Sequence, residues 1–290
     1  MTVFPAVATG LFGALLLVRR ARRRAARDYQ YSPSQWSNRL RGSPGISPGG
    51  ISRGGGAPFG TPDEVVMDHC ATVARGSAAV RAELLRAEPR TGEYWAELDV
   101  PHSAHTGTTS LEATVDIFYG SEAAAAAAAD GADGADGGDV FVYIHGGYWQ
   151  ALSKRDSCFH ARTVLRTLGC AAFVAVGYEL CPNVPFVELV AQVKNAVALV
   201  LRKFPRSRVH VCGHSAGAHL GAVVMCTDWA AEYGLADVAE TGRMASFILV
   251  SGIYDLRPIQ ASYVNDACRM TEAVAVAASP ALLAPRQRWR

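Results

Sequence analysis

No CxxC pair occurs among the 290 residues. The seven cysteines, at 70, 158, 170, 181, 212, 226 and 268, are odd in number and scattered. Such spacing excludes a disulfide framework and a zinc ribbon, so no metal is expected. It reads as reduced, mostly buried thiols in a cytosol-like compartment. Charge is also sparse, 19% of residues with a net of +2. So small an excess builds no field for nucleic acid, which is not expected as a partner. Acidic residues are missing before Asp28, and histidine is missing after His219. The second gap matters once a nucleophile is found.

Residues 1–18, MTVFPAVATGLFGALLLV, carry no charge, and RRARRRAAR follows at once. As a helix they would span roughly 27 Å, just short of a ~30 Å hydrocarbon core. A cleaved secretory signal has its positive charge before the apolar run, whereas here it comes after. The positive-inside rule would hold the Arg cluster and all that follows in the cytoplasm. Residues 1–28 therefore read as a leader of one of three kinds: a short uncleaved anchor making membrane contact through 1–18, a segment that never inserts, or an Arg-rich organelle address. Residues 29–290 suit one globular domain.

Within that domain, RGSPGISPGGISRGGGAPFG (41–60) has almost nothing to bury and reads as a flexible insertion. Residues 61–87 read as a helix, with Thr61 as N-cap and Pro62 in the first helical position. EATVDIFYG (112–120) alternates like a strand, and the low-complexity run 121–139 reads as an expanded hairpin loop. From 140 onward, apolar strands at 140–145, 170–180, 208–212 and 245–254 alternate with helices at 155–169, 186–204 and 215–230. This order predicts an α/β fold, a mostly parallel sheet covered by helices on both faces.

Two motifs sit at strand ends. GHSAG (213–217) follows a strand and opens a helix, the placement of a nucleophile elbow, with Ser215 pushed out above the sheet. HGGYW (145–149) ends an upstream strand. Its glycines would let the Gly146 and Gly147 amides approach a developing oxyanion, with the Ala216 amide completing the hole. His145 reads as a pin for this loop rather than a proton acceptor. Tyr148 and Trp149 are either core aromatics or the wall of a pocket for a planar substrate.

HGGYWQ (145–150), GHSAGAHL (213–220) and LVSGIYDLRPI (249–259) together resemble the kynurenine formamidases, or arylformamidases, of the α/β-hydrolase fold. YSPSQWSNR (31–39) and YVNDACRMT with a following SP (263–280) are also similar to that family. The likeness implies hydrolysis of N-formyl-L-kynurenine to L-kynurenine and formate, with no metal or cofactor. It makes Ser215 the nucleophile and HGGYW the oxyanion loop. The implied partner is a small aryl formamide, with a homodimer as a further option.

One part of the pattern is not met. In such hydrolases the triad follows the chain order Ser, Asp or Glu, His. After Ser215 the only histidine is His219, one turn along the same helix, the wrong place for a base. Asp255, at a strand end, is the best remaining acid and reads as a turn or pocket residue. The chain is therefore expected to stop short of the last two strands, leaving 246–250 as a sheet edge. Poor solubility and a stranded nucleophile without measurable turnover, at best a binding or regulatory chain, are the expectation for these 290 residues. A generic carboxylesterase is the third reading. Were the chain active, its base would have to be His145, His160, His214 or His219.

Overall fold

The computed structural model describes residues 62–86, 94–102, 110–121 and 137–283. The leader, the 31–39 stretch, the 41–60 insertion, Thr61 and the end of the tail (284–290) lie outside the described residues. So does most of the run 121–139.

The chain divides into two compact units, Met1–Val73 and Ala74–Arg290. The described part of the first is the opening of helix α1 (Pro62–Arg86), which starts at the expected proline. The second unit contains strands β1 (Trp95–Pro101), β2 (Thr114–Tyr119) and β3 (Asp139–Ile144). A 3₁₀ helix (Lys154–His160) then runs into α2 (Ala161–Arg166), followed by β4 (Ala172–Val176), α3 (Phe186–Lys203) and β5 (Arg208–His214). Next come α4 (Ala216–Cys226), α5 (Trp229–Tyr233), α6 (Asp237–Thr241) and β6 (Met244–Val250). Short helices α7 (Arg257–Gln260), α8 (Asn265–Cys268) and α9 (Glu272–Ala277), then a 3₁₀ turn (Pro280–Leu282), close the described part.

The strands form one sheet in the order β1-β2-β4-β3-β5-β6. β1 and β2 pair antiparallel, β2 pairs antiparallel with β4, and the rest is parallel. Apolar residues run through the central strands because both faces are covered. Val140, Val142 and Ile144 of β3 join α3 and α4 in one buried cluster. Phe141 and Tyr143 face the other way and meet Leu84, Val164 and Leu165. Each such large apolar side chain contributes roughly 1.5–3 kcal/mol when buried. The expected α/β sheet with helices on both faces is what the chain forms.

Some expectations need correction. β2 and β3 are not a hairpin, because β4 lies between them, so the 121–139 segment joins strands that do not touch. The single helix expected at 155–169 is a 3₁₀ turn followed by α2, with Gly169 at φ 70 beyond its end. The helix expected to reach 230 stops at Cys226, and Asp228 caps a new one by accepting the Ala231 amide. β1 was not foreseen, because Glu97, Asp99 and Pro101 obscure its alternation. It is an edge strand with a bulge between Glu97 and Val100, where Asp99 turns to φ 54. At the opposite edge of the described sheet lies β6, with Ile248 46% exposed.

The Asp99 bulge serves a buried ion cluster. Asp116 of β2 and Lys154, the first residue after the HGGYW loop and its turn, are both buried and stand 2.9 Å apart. Lys154 also meets Asp99 and the Thr114 hydroxyl, and Arg81 of α1 meets Asp116. The Asp99 amide donates to Asp116 at 2.9 Å. The Lys154 ammonium holds the Asp99 carboxyl below its usual range. Removing one member of a buried pair leaves the other charge uncompensated, at a cost of about 3–5 kcal/mol. Lys154→Met is therefore expected to lower stability by about that amount in urea melts. A loss below about 1 kcal/mol would show the cluster to be solvated in effect.

Candidate active site

Strand β5 feeds directly into Ser215, whose φ of 57° and ψ of −117° are those of a strained turn. Such a conformation costs a non-glycine residue on the order of 1–3 kcal/mol and persists only where neighbours enforce it. Here the Ser215 amide donates to the Val250 carbonyl at 2.9 Å, and the Ser215 carbonyl accepts the His219 amide at 3.1 Å. Backbone crowding completes the constraint. A Cβ on Gly213 would lie 2.3 Å from the Gly217 carbonyl oxygen, and one on Gly217 would lie 2.1 Å from that of Ile144. The GxSxG spacing thus marks two main-chain contacts that no side chain could enter. Ala216 opens α4, so its amide stands at the positive end of that helix.

The end of β3 meets this elbow. A Cβ on Gly146 would be 2.7 Å from the His214 carbonyl oxygen and 3.3 Å from Ser215 Cβ. Gly147, at φ 106°, starts a left-handed turn that continues through Tyr148 (φ 50°) and Trp149 (φ 62°). The Gln150 and Ala151 amides close it onto the Gly147 carbonyl at 2.9 and 3.0 Å. Two outside ties hold the turn: the Cys181 amide donates to the Trp149 carbonyl, and the Gln150 side chain donates to Val264, both at 2.9 Å.

The expected residues fall into three groups. Ser215, Ala216 and Gly146 come together, and Gly147 follows immediately. The His145 Nδ1–H donates to the Gly146 carbonyl at 2.9 Å, and its ring stacks on Tyr178 at 4.1 Å. Trp149 is fully buried against Phe186 and His219, so it is core and not a pocket wall. Tyr148 is half-buried. Asp255 is a turn residue: it accepts the Arg257 amide and forms a fork with that guanidinium at 2.7–3.3 Å. The Arg257 bonds hold its carboxyl below the usual range. Tyr178, whose hydroxyl donates to the His145 carbonyl at 2.8 Å, escaped the sequence reading. Its place just past β4 is the signal that could have found it.

The histidines are mostly structural. His219 is fully buried, and its Nε2–H donates to the Ala278 carbonyl at 2.8 Å. Burial lowers it to about 4, and lowers His145 and His102 likewise to about 4. His160 is lowered by burial, with neighbouring His214 adding to the effect. His214 also lies beside the HGG loop, its Nδ1 3.5 Å from the Gly146 Cβ position.

Two outcomes follow. Gly217→Ala forces Ile144 and His145 carbonyls aside, an overpacking cost of about 1–3 kcal/mol or more. Gly120→Ala, with open space around it, is expected to be near neutral in the same melts. Equal melts for the two variants would contradict the crowded elbow. The buried imidazoles bind protons more weakly folded than unfolded. Their contribution is intact above about pH 6.5 and lost as pH falls towards 4, on the order of 2 kcal/mol each by pH 5. The melting temperature should therefore drop steeply between pH 7 and 5, and a flat profile would contradict neutral, buried His102, His145 and His219.

Comparison with known proteins places this geometry. Residues 141–287 match a family described by its alpha/beta hydrolase fold. A kynurenine formamidase of Salmo salar is 31% identical over 260 residues, 89% of this chain and 70% of the relative. One of Danio rerio is 32% identical over 254 residues, 87% and 68% of the two chains. A solved structure assigned provisionally as a thioesterase, from Silicibacter sp. TM1040, superposes with a TM-score of 0.58 at 24% identity. It covers 80% of this chain and 76% of that one, a likeness of fold. The strained turn at Ser215, the HGG loop beside it and the two fish relatives agree: this chain belongs to the kynurenine formamidase family of α/β-hydrolases.

Proposed function

We propose that the chain is an arylformamidase-type serine hydrolase whose substrate is N-formyl-L-kynurenine. The observation that carries this reading is the strained Ser215, held at the head of α4 with Gly146 packed against it. The likeness to kynurenine formamidases over most of the chain supports the substrate class.

In this reading the Ser215 hydroxyl attacks the formyl carbon. The carbonyl oxygen becomes an oxyanion, met by the Gly146, Gly147 and Ala216 amides. Such donors act strongly because they are fixed before charge develops; one of them is worth about 2.7–4 kcal/mol in related oxyanion holes. The C–N bond then breaks, the aniline nitrogen takes up the proton given up by the Ser215 hydroxyl, and L-kynurenine leaves. Water attacks the formyl ester on Ser215, and formate departs. Tyr148, half-buried beside the loop, is the aromatic this reading sets against the leaving aniline.

A second reading concerns rate, and the histidines favour it. His219 and His145 are buried, neutral and committed to backbone carbonyls, and Asp255 is committed to Arg257. In this reading His219, His145 and Asp255 are not available to Ser215 as bases, and turnover by these 290 residues alone is slow. A fluorophosphonate separates the readings. Slow capture at Ser215, lost in Ser215→Ala and accelerated by added imidazole along with N-formyl-L-kynurenine hydrolysis, is the expected result. Fast stoichiometric capture without imidazole would reveal an internal base and overturn the second reading. Capture that survives Ser215→Ala would overturn the first.

A further inference from the structure

His219 is an unfavourable residue for the place it occupies, and the proposed chemistry does not use it. It is fully buried, and burial lowers its ring to about 4. A leucine or phenylalanine would fill apolar space there without burying a polar group. Three parts of the chain nevertheless meet on this residue. Its amide donates to the Ser215 carbonyl at 3.1 Å, one turn into α4. Its Nε2–H donates to the Ala278 carbonyl at 2.8 Å. Its ring stands perpendicular to that of Trp149 with centroids 5.2 Å apart, a favourable edge-to-face pairing. Phe186 closes the cage, 5.9 Å from His219 and 5.2 Å from Trp149.

Both neighbours of the ring are fixed points. Trp149 ends a run of left-handed residues, Gly147 (φ 106°), Tyr148 (φ 50°) and Trp149 (φ 62°). A non-glycine residue keeps such a backbone only where its surroundings enforce it. Cys181 and the Gln150 side chain tie the turn from outside, and the buried Trp149 ring anchors it from within. Ala278, on the other side, begins a stretch knitted to the chain just past β6. The Ser279 hydroxyl oxygen accepts the Leu256 amide at 2.8 Å, and the Ala281 amide donates to the Tyr254 carbonyl at 2.9 Å. His219 Nδ1 has no hydrogen-bond partner among the described residues, so the bond to Ala278 sets the plane of the ring.

We propose that His219 is a positioning residue for the hydrolase site: its ring, oriented by the Ala278 carbonyl, wedges Trp149 and so keeps the left-handed turn that holds the Gly147 amide beside Ser215. The wedge and the nucleophile share the first turn of α4, so one short element sets the spacing between loop and serine. Histidine meets both demands with one side chain. Phenylalanine would keep the planar ring and lose the bond to Ala278. Glutamine would keep a donor and lose the ring against Trp149. The catalytic consequence rests on Ser215 acting as nucleophile with HGG as its oxyanion loop. The mechanical link from His219 to the turn does not.

Hydrogen exchange followed residue by residue on the full chain reads that link without substrate. In His219→Gln and His219→Phe, the Gln150, Ala151 and Cys181 amides should exchange at least about tenfold faster than in the native chain, while the β2–β4 ladder keeps its protection. Trp149→Phe, which changes the other side of the contact, should loosen the same three amides should the His219 variants fail to fold. Unchanged exchange at the turn in folded variants would overturn the proposal. So would an equal loss in the β2–β4 ladder, which marks general destabilisation.

Imidazole-assisted hydrolysis of N-formyl-L-kynurenine reads the consequence. A displaced loop should lower kcat by about 10²-fold and leave KM within about threefold of the native value. A raised KM with kcat intact would make His219 a determinant of substrate binding and contradict the positioning role. A native chain that neither captures the phosphonate at Ser215 nor turns over would remove the catalytic reading, and the exchange rates would still decide the wedge.

Discussion

Main chain packed on main chain is the constraint on which the site rests. The ends of β3 and β5 and the start of α4 approach so closely that Gly146, Gly213 and Gly217 have no room for a methyl group. Dispersion and hydrogen bonding from the flanking core hold these segments together. The reward is a serine fixed at φ 57° and a loop amide brought to its side. An oxyanion hole needs this kind of rigidity, because its donors contribute by being in place before charge appears. The parallel arrangement of β3, β5 and β6 explains how it is reached. All three strands end on the same edge, so the loop, the elbow and Val250, which accepts the Ser215 amide, converge without any long-range search.

Around this centre the interior is polar in selected places only. Lys154 stands where the turn after HGGYW ends, and its ammonium joins β1 and β2 through Asp99, Asp116 and Thr114. The loop is thereby tied at one end to the sheet by His145 and Tyr178, and at the other by a buried charge. His219 does similar service on the opposite side, joining α4 to the end of α9 through Ala278. Among the described residues His102, His145 and His219 each serve as a neutral, hydrogen-bonding wedge. That use conflicts with proton transfer, since a ring held near pKa 4 by burial is a weak base.

The strand and helix alternation from residue 140 onward was legible because both faces of the sheet are covered, which leaves unbroken apolar runs of strand length. The close approach of Gly146 to the Ser215 turn was legible because backbone packed so tightly at strand ends demands glycine at fixed spacings. The ion cluster was not, because Lys154 and Asp116 look like ordinary surface charges until the bulge at Asp99 folds them inward. The position of β4 between β2 and β3 was equally hidden, since strand order is fixed by pairing and not by chain order. Trp149 could not be assigned from sequence: only the left-handed turn at 147–149 decides that its ring enters the core while Tyr148 stays half-exposed.

The central claim is that Ser215 and the HGG loop form one preorganised site. The crystal structure of a phosphonate adduct of this chain tests it most directly. The account predicts phosphorus bonded to Ser215 Oγ, with its phosphoryl oxygen about 2.7–3.1 Å from amides of Gly146, Gly147 and Ala216. An adduct on Ser215 whose phosphoryl oxygen points to solvent, away from all three amides, would contradict it.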